Sequence, residues 1–314
     1  MGLMLIGVYS PIFEAMNTKW GIDLGGTKIE GVVLPESSTK PLARLRLPTE
    51  SAKGYDHILQ QVNRVVQGLE EATGLQRYQL GVGTPGAIDP DDGLLKNSNT
   101  LALNAERLDK DLARVLGCEV RMENDANCFA LAETLLGAVP AIIDNPRVVF
   151  GVIMGTGVGS GIVFDGKIWN GRHGIAGEWG HNVLEPGGQA CYCGKQGCVE
   201  QVISGPSLEA YYRRLTGATL PLKDIVERWR EGEPEALQVK ERLLDGFAEA
   251  ISVVINILDP DAVVLGGGVG NIDELYTETQ ARIMPYLFNS RLSTTILRPT
   301  LGDSAGVYGA AMLF

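Results

Sequence analysis

An α/β fold made of two similar halves is the architecture that this sequence predicts, on three observations. Residues 21–34, GIDLGGTKIEGVVL, place a glycine-rich turn between two apolar runs that alternate as strands do. Residues 151–164, GVIMGTGVGSGIVF, repeat this design at a constant offset, because 151 minus 21 and 164 minus 34 are both 130. Segments with helical spacing, such as 52–73 and 233–258, lie between further apolar runs. We therefore expect an internal duplication whose two glycine turns face each other across a cleft.

The length and composition of the chain set its broad class. Its 314 residues, 45% hydrophobic and 21% charged, predict two domains of an ordinary soluble protein. A net charge of -11 argues against a nucleic-acid partner, and no apolar run is long enough to predict a membrane span. The opening MGLMLIGVYSPIFEAM lacks the basic region of a signal peptide, and Met16 is an alternative start. Five cysteines, an odd number, do not fit a secreted disulfide framework, so we expect a cytoplasmic protein.

The first glycine turn combines a carboxylate with small and basic residues: Asp23, Gly25, Gly26, Thr27 and Lys28. Glycines at a hairpin tip let a ligand approach the backbone and let successive N–H groups point at an anion. The turn matches neither the GxxxxGK[ST] phosphate loop nor the GxGxxG dinucleotide pattern. It is either an ordinary hairpin or one of two holders of a mononucleotide's phosphates. Its counterpart in the second stretch is Gly155, Thr156 and Gly157.

Strands and helices alternate between the two turns. The helical stretch 52–73 is followed by the stop signal Gly74, and a short buried strand from Gln79 ends in Thr84-Pro85-Gly86. Ligands of α/β sheets favour such strand ends, although a purely structural turn explains the residues equally well. A further helix is predicted from Glu106 to Leu116.

A predicted strand from Glu119 to Met122 leads into Asn124 and Asp125, and an amphipathic helix follows. Asp125 is either the N-cap of that helix or a carboxylate fixed at a strand end, where it can act as general base toward a substrate hydroxyl.

The C-terminal third ends a buried strand in three glycines, Gly266, Gly267 and Gly268. Glycines at this junction let a flat base or ribose lie against the backbone, although helix–strand packing explains them almost as well. The closing GDSAGVYGAAMLF predicts a helix of small residues that packs on the first domain.

One loop gathers metal-ligand residues: His181, Cys191, Cys193 and Cys198. One imidazole and three thiolates make a closed tetrahedral zinc site, and a loop so rich in glycine needs the metal to fold. The alternatives are a Cys191–Cys193 disulfide or thiols without a ligand. Glu178, His181 and Glu200 frame the loop and suit a polyhydroxylated ligand, unless both glutamates are merely solvated.

Seven motifs in order resemble those of the ROK family (repressors, open reading frames and sugar kinases), within the sugar kinase/Hsp70/actin superfamily: DLGGTK, GTPG, ENDAN, GTGVGSG, GEWGH, CYCGKQGCVE and LGGG. The resemblance runs from about Lys19 to the C terminus. It implies two ribonuclease-H-like α/β domains that flank a nucleotide cleft. The first is residues 19–130 completed by a helix at about 303–314, and the second is residues 131–302 with a zinc loop at 181–198.

The resemblance also implies a role for each motif. ATP phosphates would bind the two glycine turns, adenosine would lie on the three glycines at 266–268, and Asp23 would act on Mg²⁺ through water. Asp125 matches the family's catalytic base. The sugar-binding set would be Asn104, Asn124, Asp125, Glu178, His181 and Glu200, and the His/Cys₃ set would bind zinc.

The implied activity is phosphoryl transfer from Mg-ATP to a hexose hydroxyl, giving a sugar 6-phosphate. The motifs look most like fructokinases and mannokinases, and N-acetylglucosamine kinase or glucokinase is the alternative. A sugar-responsive regulator of the same family is a different class, which the acidic charge disfavours. Family likeness further suggests a homodimer.

Overall fold

The computed structural model describes residues 18–36 and 38–314. The interpretations of a signal peptide and of a start at Met16 concern residues outside this range. The chain divides into two compact units. Unit 1 comprises the described residues up to Ala132, together with Arg172–Gly174 and Asp303–Phe314. Unit 2 comprises Glu133–Gly171 and Ile175–Gly302.

The strands are β1 (Thr18–Leu24), β2 (Lys28–Pro35), β3 (Ala43–Pro48), β4 (Gln79–Thr84), β5 (Ala87–Ile88), β6 (Leu95–Lys96), β7 (Glu119–Asn124), β8 (Val148–Met154), β9 (Val158–Phe164), β10 (Lys167–Ile168), β11 (Ala262–Gly266) and β12 (Thr295–Leu297). The α-helices are α1 (Tyr55–Thr73), α2 (Leu108–Leu116), α3 (Asp125–Leu135), α4 (Glu200–Ile203), α5 (Gly205–Thr216), α6 (Leu222–Arg230), α7 (Pro234–Leu258), α8 (Gly267–Gly270), α9 (Glu274–Thr277), α10 (Thr279–Ile283) and α11 (Ala305–Ala311). The α/β prediction is confirmed.

Unit 1 is built on a five-stranded sheet in the order β3-β2-β1-β4-β7. β1, β2 and β3 are antiparallel neighbours, whereas β4 and β7 run parallel to β1. One face is covered by α1, whose buried stripe includes Val62, Val65 and Leu69. Because β1, β4 and β7 are parallel, their carboxyl ends meet at one edge, which brings the turn after β1 near Asn124 and Asp125.

Unit 2 repeats this sheet in the order β10-β9-β8-β11-β12, with the same sequence of antiparallel and parallel pairs. The two central hairpins differ in register by one residue. Gly31 pairs with Ile22 in the first hairpin, but Gly161 pairs with Gly151 in the second. The second turn is therefore one residue shorter than the constant sequence offset suggests, and the two glycine turns are not identical loops.

The C-terminal helix α11 lies directly on the backbone of the unit 1 sheet. A Cβ atom at Gly81 would overlap the carbonyl oxygen of Ala310, and one at Gly21 would overlap that of Val307. Glycine is thus required at this contact by the close approach of two backbones. The same approach sets the start of α11 beside Asp23, because a Cβ at Gly306 would lie 3.5 Å from the Asp23 carboxylate.

Unit 2 has its own core, in which Phe150, Trp179 and Phe247 form successive edge-to-face ring contacts. The long helix α7 provides much of this core, including Leu243, Leu244, Phe247 and Ile251. Among the described residues, no helix combines the length and apolarity that a membrane crossing requires.

We predict that Gly81→Ala lowers the free energy of unfolding by about 3 kcal/mol, because the added methyl meets a carbonyl that cannot move without displacing α11. The measurement is urea denaturation followed by circular dichroism. Gly68→Ala in α1 is the matched control, since its methyl would meet only the flexible end of Leu45. Equal midpoints for the two variants would contradict the backbone contact.

Candidate functional site

Thr49 anchors the first glycine turn through two hydrogen bonds. Its hydroxyl donates to the carbonyl of Gly25 at 2.6 Å, and its N–H donates to the carbonyl of Thr27 at 2.9 Å. Within the turn, the N–H of Gly25 donates to the carbonyl of Lys28 at 3.0 Å. Gly26, Thr27 and Lys28 remain exposed. The turn is therefore a fixed, solvent-facing segment with a lysine at its end, which suits an anion.

Asp23 lies next to this turn, and its pKa shift is the largest among the described carboxylates of unit 1. Burial first, and then the nearby charges of Asp125 and Glu30, raise its pKa from 3.8 to about 6, against the opposing charges of Lys28 and Arg46. The fully buried Glu30 is paired with Arg44 and Arg46. Asp23 thus has no such arginine pair of its own and favours a cationic ligand.

Asn124 and Asp125 stand where β7 becomes α3. The Asn124 amide donates to the carbonyl of Gly86 at 3.1 Å and accepts the N–H of Ala126 at 2.9 Å. Asp125 accepts the same N–H at 2.8 Å, but it is the first residue of α3, and the N-cap position that the sequence offered it is occupied by Asn124. The Asp125 side chain is nevertheless exposed. An exposed carboxylate held at a strand end beside buried Asp23 has the placement of a general base.

The Asn104 side chain stabilises a loop of unit 1 through two hydrogen bonds. Its carbonyl oxygen accepts the N–H of Ser98 and its amide donates to the Ser98 carbonyl, both at 2.9 Å. The side chain therefore closes the loop between 98 and 104. Its predicted contact with sugar requires the remaining N–H or lone pair.

In unit 2, the second glycine turn is joined to the segment that follows the cysteine loop. The N–H of Val158 donates to Oε2 of Glu200 at 3.0 Å, and the N–H of Gly205 donates to the Gly155 carbonyl at 2.9 Å. The sequence predicts Glu200 only as a sugar-binding residue. In the structure it is also a hydrogen-bond acceptor for the second glycine turn. Sequence spacing gives no signal for this contact, because the two segments are 42 residues apart.

Glu178 and His181 are positioned by a short 3₁₀ helix, Trp179–His181. Its anchor is Trp179, whose ring is buried and whose indole N–H donates to the Ala250 carbonyl at 3.0 Å. Because the tryptophan points into the core, its neighbours Glu178 and His181 are held at the surface of unit 2.

His181, Cys191, Cys193 and Cys198 come together as a potential metal site, with ligand atoms all within 4.8 Å of one another. The sulfurs of Cys193 and Cys198 are 3.6 Å apart, and Nδ1 of His181 is 3.5 Å from the Cys191 sulfur. Zn–S bonds of about 2.3 Å in a tetrahedron place sulfurs roughly 3.8 Å apart, so the residues fit this metal. All five cysteines are free, which rules out the alternative of a Cys191–Cys193 disulfide in this structure.

Tyr192 is a site residue that the sequence reasoning missed. Its hydroxyl lies 2.8 Å from Nε2 of His181, and the two rings meet edge to face at 5.0 Å. Burial and then the charges of Glu200 and Glu178 raise its pKa to about 12, so the phenol lies near both carboxylates. The only sequence signal is an aromatic residue between two metal-ligand cysteines.

A pocket of about 740 Å³ opens beside the second turn, entirely within unit 2. Its walls are aliphatic at Leu222, Val226, Val269 and Ile272, and Gly155, Thr156 and Gly268 line it as well. Of the three glycines at 266–268, Gly268 alone is among the lining residues. Gly267 is instead required because a Cβ there would overlap the Met154 carbonyl. The pocket suits a flat heterocycle adjoining a phosphate-binding turn.

Comparison with known proteins places this geometry in a family. The ROK family model matches residues 19–314, and the chain belongs to the ROK family. N-acetyl-D-glucosamine kinase of Yersinia pseudotuberculosis is 36% identical over 304 residues, which covers 94% of this chain and 98% of that protein.

Two solved structures are similar along the chain. The ROK hexokinase from Thermus thermophilus has a TM-score of 0.84 at 30% identity, covering 94% of this chain and 97% of that one. A ROK family glucokinase from Streptomyces griseus, in complex with glucose and AMPPNP, has a TM-score of 0.76 at 28% identity, covering 94% and 98%. The predicted family and fold are therefore confirmed, while the roles of individual residues stay predictions.

The raised pKa of Asp23 predicts a pH-dependent stability. Because the folded state favours the protonated carboxyl, its stabilisation is present below pH 3.8 and is lost as the pH rises through about 6. Asp23→Asn should therefore raise the free energy of unfolding at pH 8 by about 3 kcal/mol, and the gain should vanish near pH 4.

Urea unfolding at both pH values checks this expectation. The exposed Asp91, at 71% side-chain exposure, provides the control variant Asp91→Asn, which should show no such gain. If Asp23→Asn is less stable than the wild type at pH 8, the claim that the charged Asp23 carboxylate destabilises the folded protein is contradicted.

Proposed function

We propose that this protein transfers the γ-phosphate of ATP to the 6-hydroxyl of a hexose, with N-acetylglucosamine as its preferred substrate. One observation carries the proposal: the exposed Asp125 carboxylate lies beside Asp23 in a ROK-family sheet. Both residues are at the edge of the sheet that also holds the first glycine turn. The 36% identity with an N-acetyl-D-glucosamine kinase over 94% of the chain supports the choice of sugar. The interpretation as a fructokinase or mannokinase is less well supported than this alternative, and the named relatives also favour a kinase over a regulator.

In the proposed reaction Asp125 orients the sugar hydroxyl and accepts its proton as the oxygen attacks the γ-phosphorus of ATP. The bond between the γ-phosphorus and the β–γ bridging oxygen breaks, and ADP leaves. The hydrogen bond from the Ala126 N–H to Oδ1 of Asp125 helps to hold the carboxylate in place. The barrier falls mainly because the nucleophile is positioned and charge on the phosphoryl group is offset.

The two glycine turns supply backbone N–H groups for the phosphates, and Lys28 adds a cation to the first. Asp23 is the proposed ligand of Mg²⁺, through water. Bound Mg²⁺ offsets phosphate charge, and it also relieves the unfavourable burial of the Asp23 carboxylate. The aliphatic pocket of unit 2 receives adenosine, with Gly268 against the base.

The proposed sugar-binding residues are Asn124, Asp125, Glu178, His181 and Glu200. Asn104 would contribute the N–H or lone pair that its two bonds to Ser98 do not use. Tyr192 joins this set through His181. A homodimer and a cytoplasmic location stay predictions from the family resemblance.

We also propose that the His/Cys₃ group binds structural zinc. Zinc would order the loop and fix the His181 ring through Nδ1, which leaves Nε2 directed at Tyr192 or at sugar.

The activity is tested by ADP release with N-acetylglucosamine, glucose, mannose and fructose. N-acetylglucosamine should give the highest kcat/KM. Asp125→Asn should lower kcat at least about a hundredfold with little change in sugar KM, because the amide binds the hydroxyl but cannot take its proton. Asp144→Asn, at an exposed position of unit 2, is the control. No stimulation by any hexose, or full activity of Asp125→Asn, would refute the proposal.

The metal is tested by elemental analysis of protein purified without added metal. We expect about one zinc per chain, loss of zinc in Cys198→Ser, and a lower melting temperature for that variant and for chelator-treated protein. Cys118→Ser, outside the cluster, should keep its zinc. Stable, metal-free wild-type protein would remove the zinc site.

A further inference from the structure

Glu200 contacts the second glycine turn at close range. Oε2 of Glu200 accepts the Val158 N–H at 3.0 Å, and a Cβ atom at Gly157 would lie only 2.6 Å from the same oxygen. The first residue of α5 is attached to the turn as well, because the Gly205 N–H donates to the Gly155 carbonyl. The carboxylate therefore rests against the segment proposed to hold ATP phosphates.

This contact has two consequences for a phosphate. The Val158 N–H, while it donates to Glu200, is not available to a phosphate oxygen. The carboxylate also places negative charge against the turn, and like charges at such distances repel strongly in a partly buried site. The sugar-free arrangement of Glu200 therefore opposes binding of a polyphosphate.

The same carboxylate adjoins the proposed sugar-binding groups. Cys198, two residues before Glu200, clusters with His181, and Nε2 of His181 lies 2.8 Å from the Tyr192 hydroxyl. A sugar hydroxyl that donates to Glu200 competes with the Val158 N–H for the same group. Glu200 can thus occupy two positions, one bonded to the turn and one bonded to sugar.

We propose that Glu200 is a positioning residue that couples the two substrates: it holds the Val158 N–H in the sugar-free protein and releases the turn to the nucleotide when sugar binds. The inference rests on the proposed function. It makes sugar binding favour ATP binding, and by linkage ATP favours sugar by the same factor. It also keeps ATP bound weakly when no acceptor other than water is present.

The proposal predicts that both sugar binding and loss of the Glu200 carboxylate increase the affinity for nucleotide. Sugar should tighten nucleotide binding to the wild type by about tenfold, the size expected for one hydrogen bond to a charged group. Glu200→Ala should bind nucleotide about tenfold more tightly than the wild type without sugar, because the opposing carboxylate is gone. A merely structural role for Glu200 would instead weaken nucleotide binding.

The experiment is calorimetric titration with Mg-AMP-PNP, with and without saturating N-acetylglucosamine. Glu200→Ala is compared with Glu200→Gln, which keeps an acceptor oxygen but no charge and should give an intermediate sugar-free affinity. Asp144→Ala is the control: it removes an exposed carboxylate of unit 2 that lies outside the proposed substrate sites, and it should keep the sugar-free affinity of the wild type. Zinc content and melting temperature verify that each variant is folded.

The coupling is overturned if sugar-free Glu200→Ala binds AMP-PNP with the wild-type affinity or more weakly, or if Asp144→Ala gains affinity equally. Should Glu200→Ala fail to fold, an unchanged sugar-free affinity in Glu200→Gln overturns it. These results are distinct from failure of the proposed function, in which wild-type protein releases no ADP with any hexose. A wild type that phosphorylates sugar but shows no sugar effect on AMP-PNP affinity removes the coupling alone.

Discussion

The contact between α11 and the backbone of the unit 1 sheet is the constraint on which the chemistry of that unit depends. Glycines at 21 and 81 allow the backbones of the sheet and of α11 to touch, and the start of α11 then lies close to the Asp23 carboxylate. The aspartate is buried as a result, and with Asp125 nearby its pKa rises to about 6. At neutral pH the charged Asp23 carboxylate therefore lowers the stability of the folded protein, and this carboxylate favours a cationic ligand. Strain of this kind is characteristic of functional sites.

The two units share a sheet topology but hold their glycine turns differently. In unit 1 the turn is held by Thr49, through a hydroxyl and a backbone N–H that carry no charge. In unit 2 the N–H that ends the turn is held by the carboxylate of Glu200. A neutral support does not oppose a phosphate, whereas a carboxylate does until another donor engages it. Under the proposed function, the first turn would be a permanent anion site and the second a conditional one.

Much of this architecture follows from local sequence. Alternation and glycine positions predict β1, β2, β8 and β9, and the motifs predict the family, because these signals are carried by neighbouring residues. Local signals do not determine cross-strand register where glycine is present on both strands, and the second turn is accordingly shorter than the constant offset suggests. The contacts of Asn104, Tyr192 and Glu200 were missed for a related reason: each depends on a partner placed by the tertiary fold. The clustering of the four metal-ligand residues was predictable, since all lie in one loop.

The central claim is that a single exposed aspartate, placed by this fold, receives the proton of a hexose hydroxyl. A crystal structure of the protein with N-acetylglucosamine and Mg-AMP-PNP tests it most directly. The account predicts a carboxylate oxygen of Asp125 within about 3.2 Å of the sugar 6-hydroxyl, with Glu200 bonded to sugar and the Val158 N–H facing phosphate. A bound sugar whose 6-hydroxyl lies away from Asp125 would contradict it.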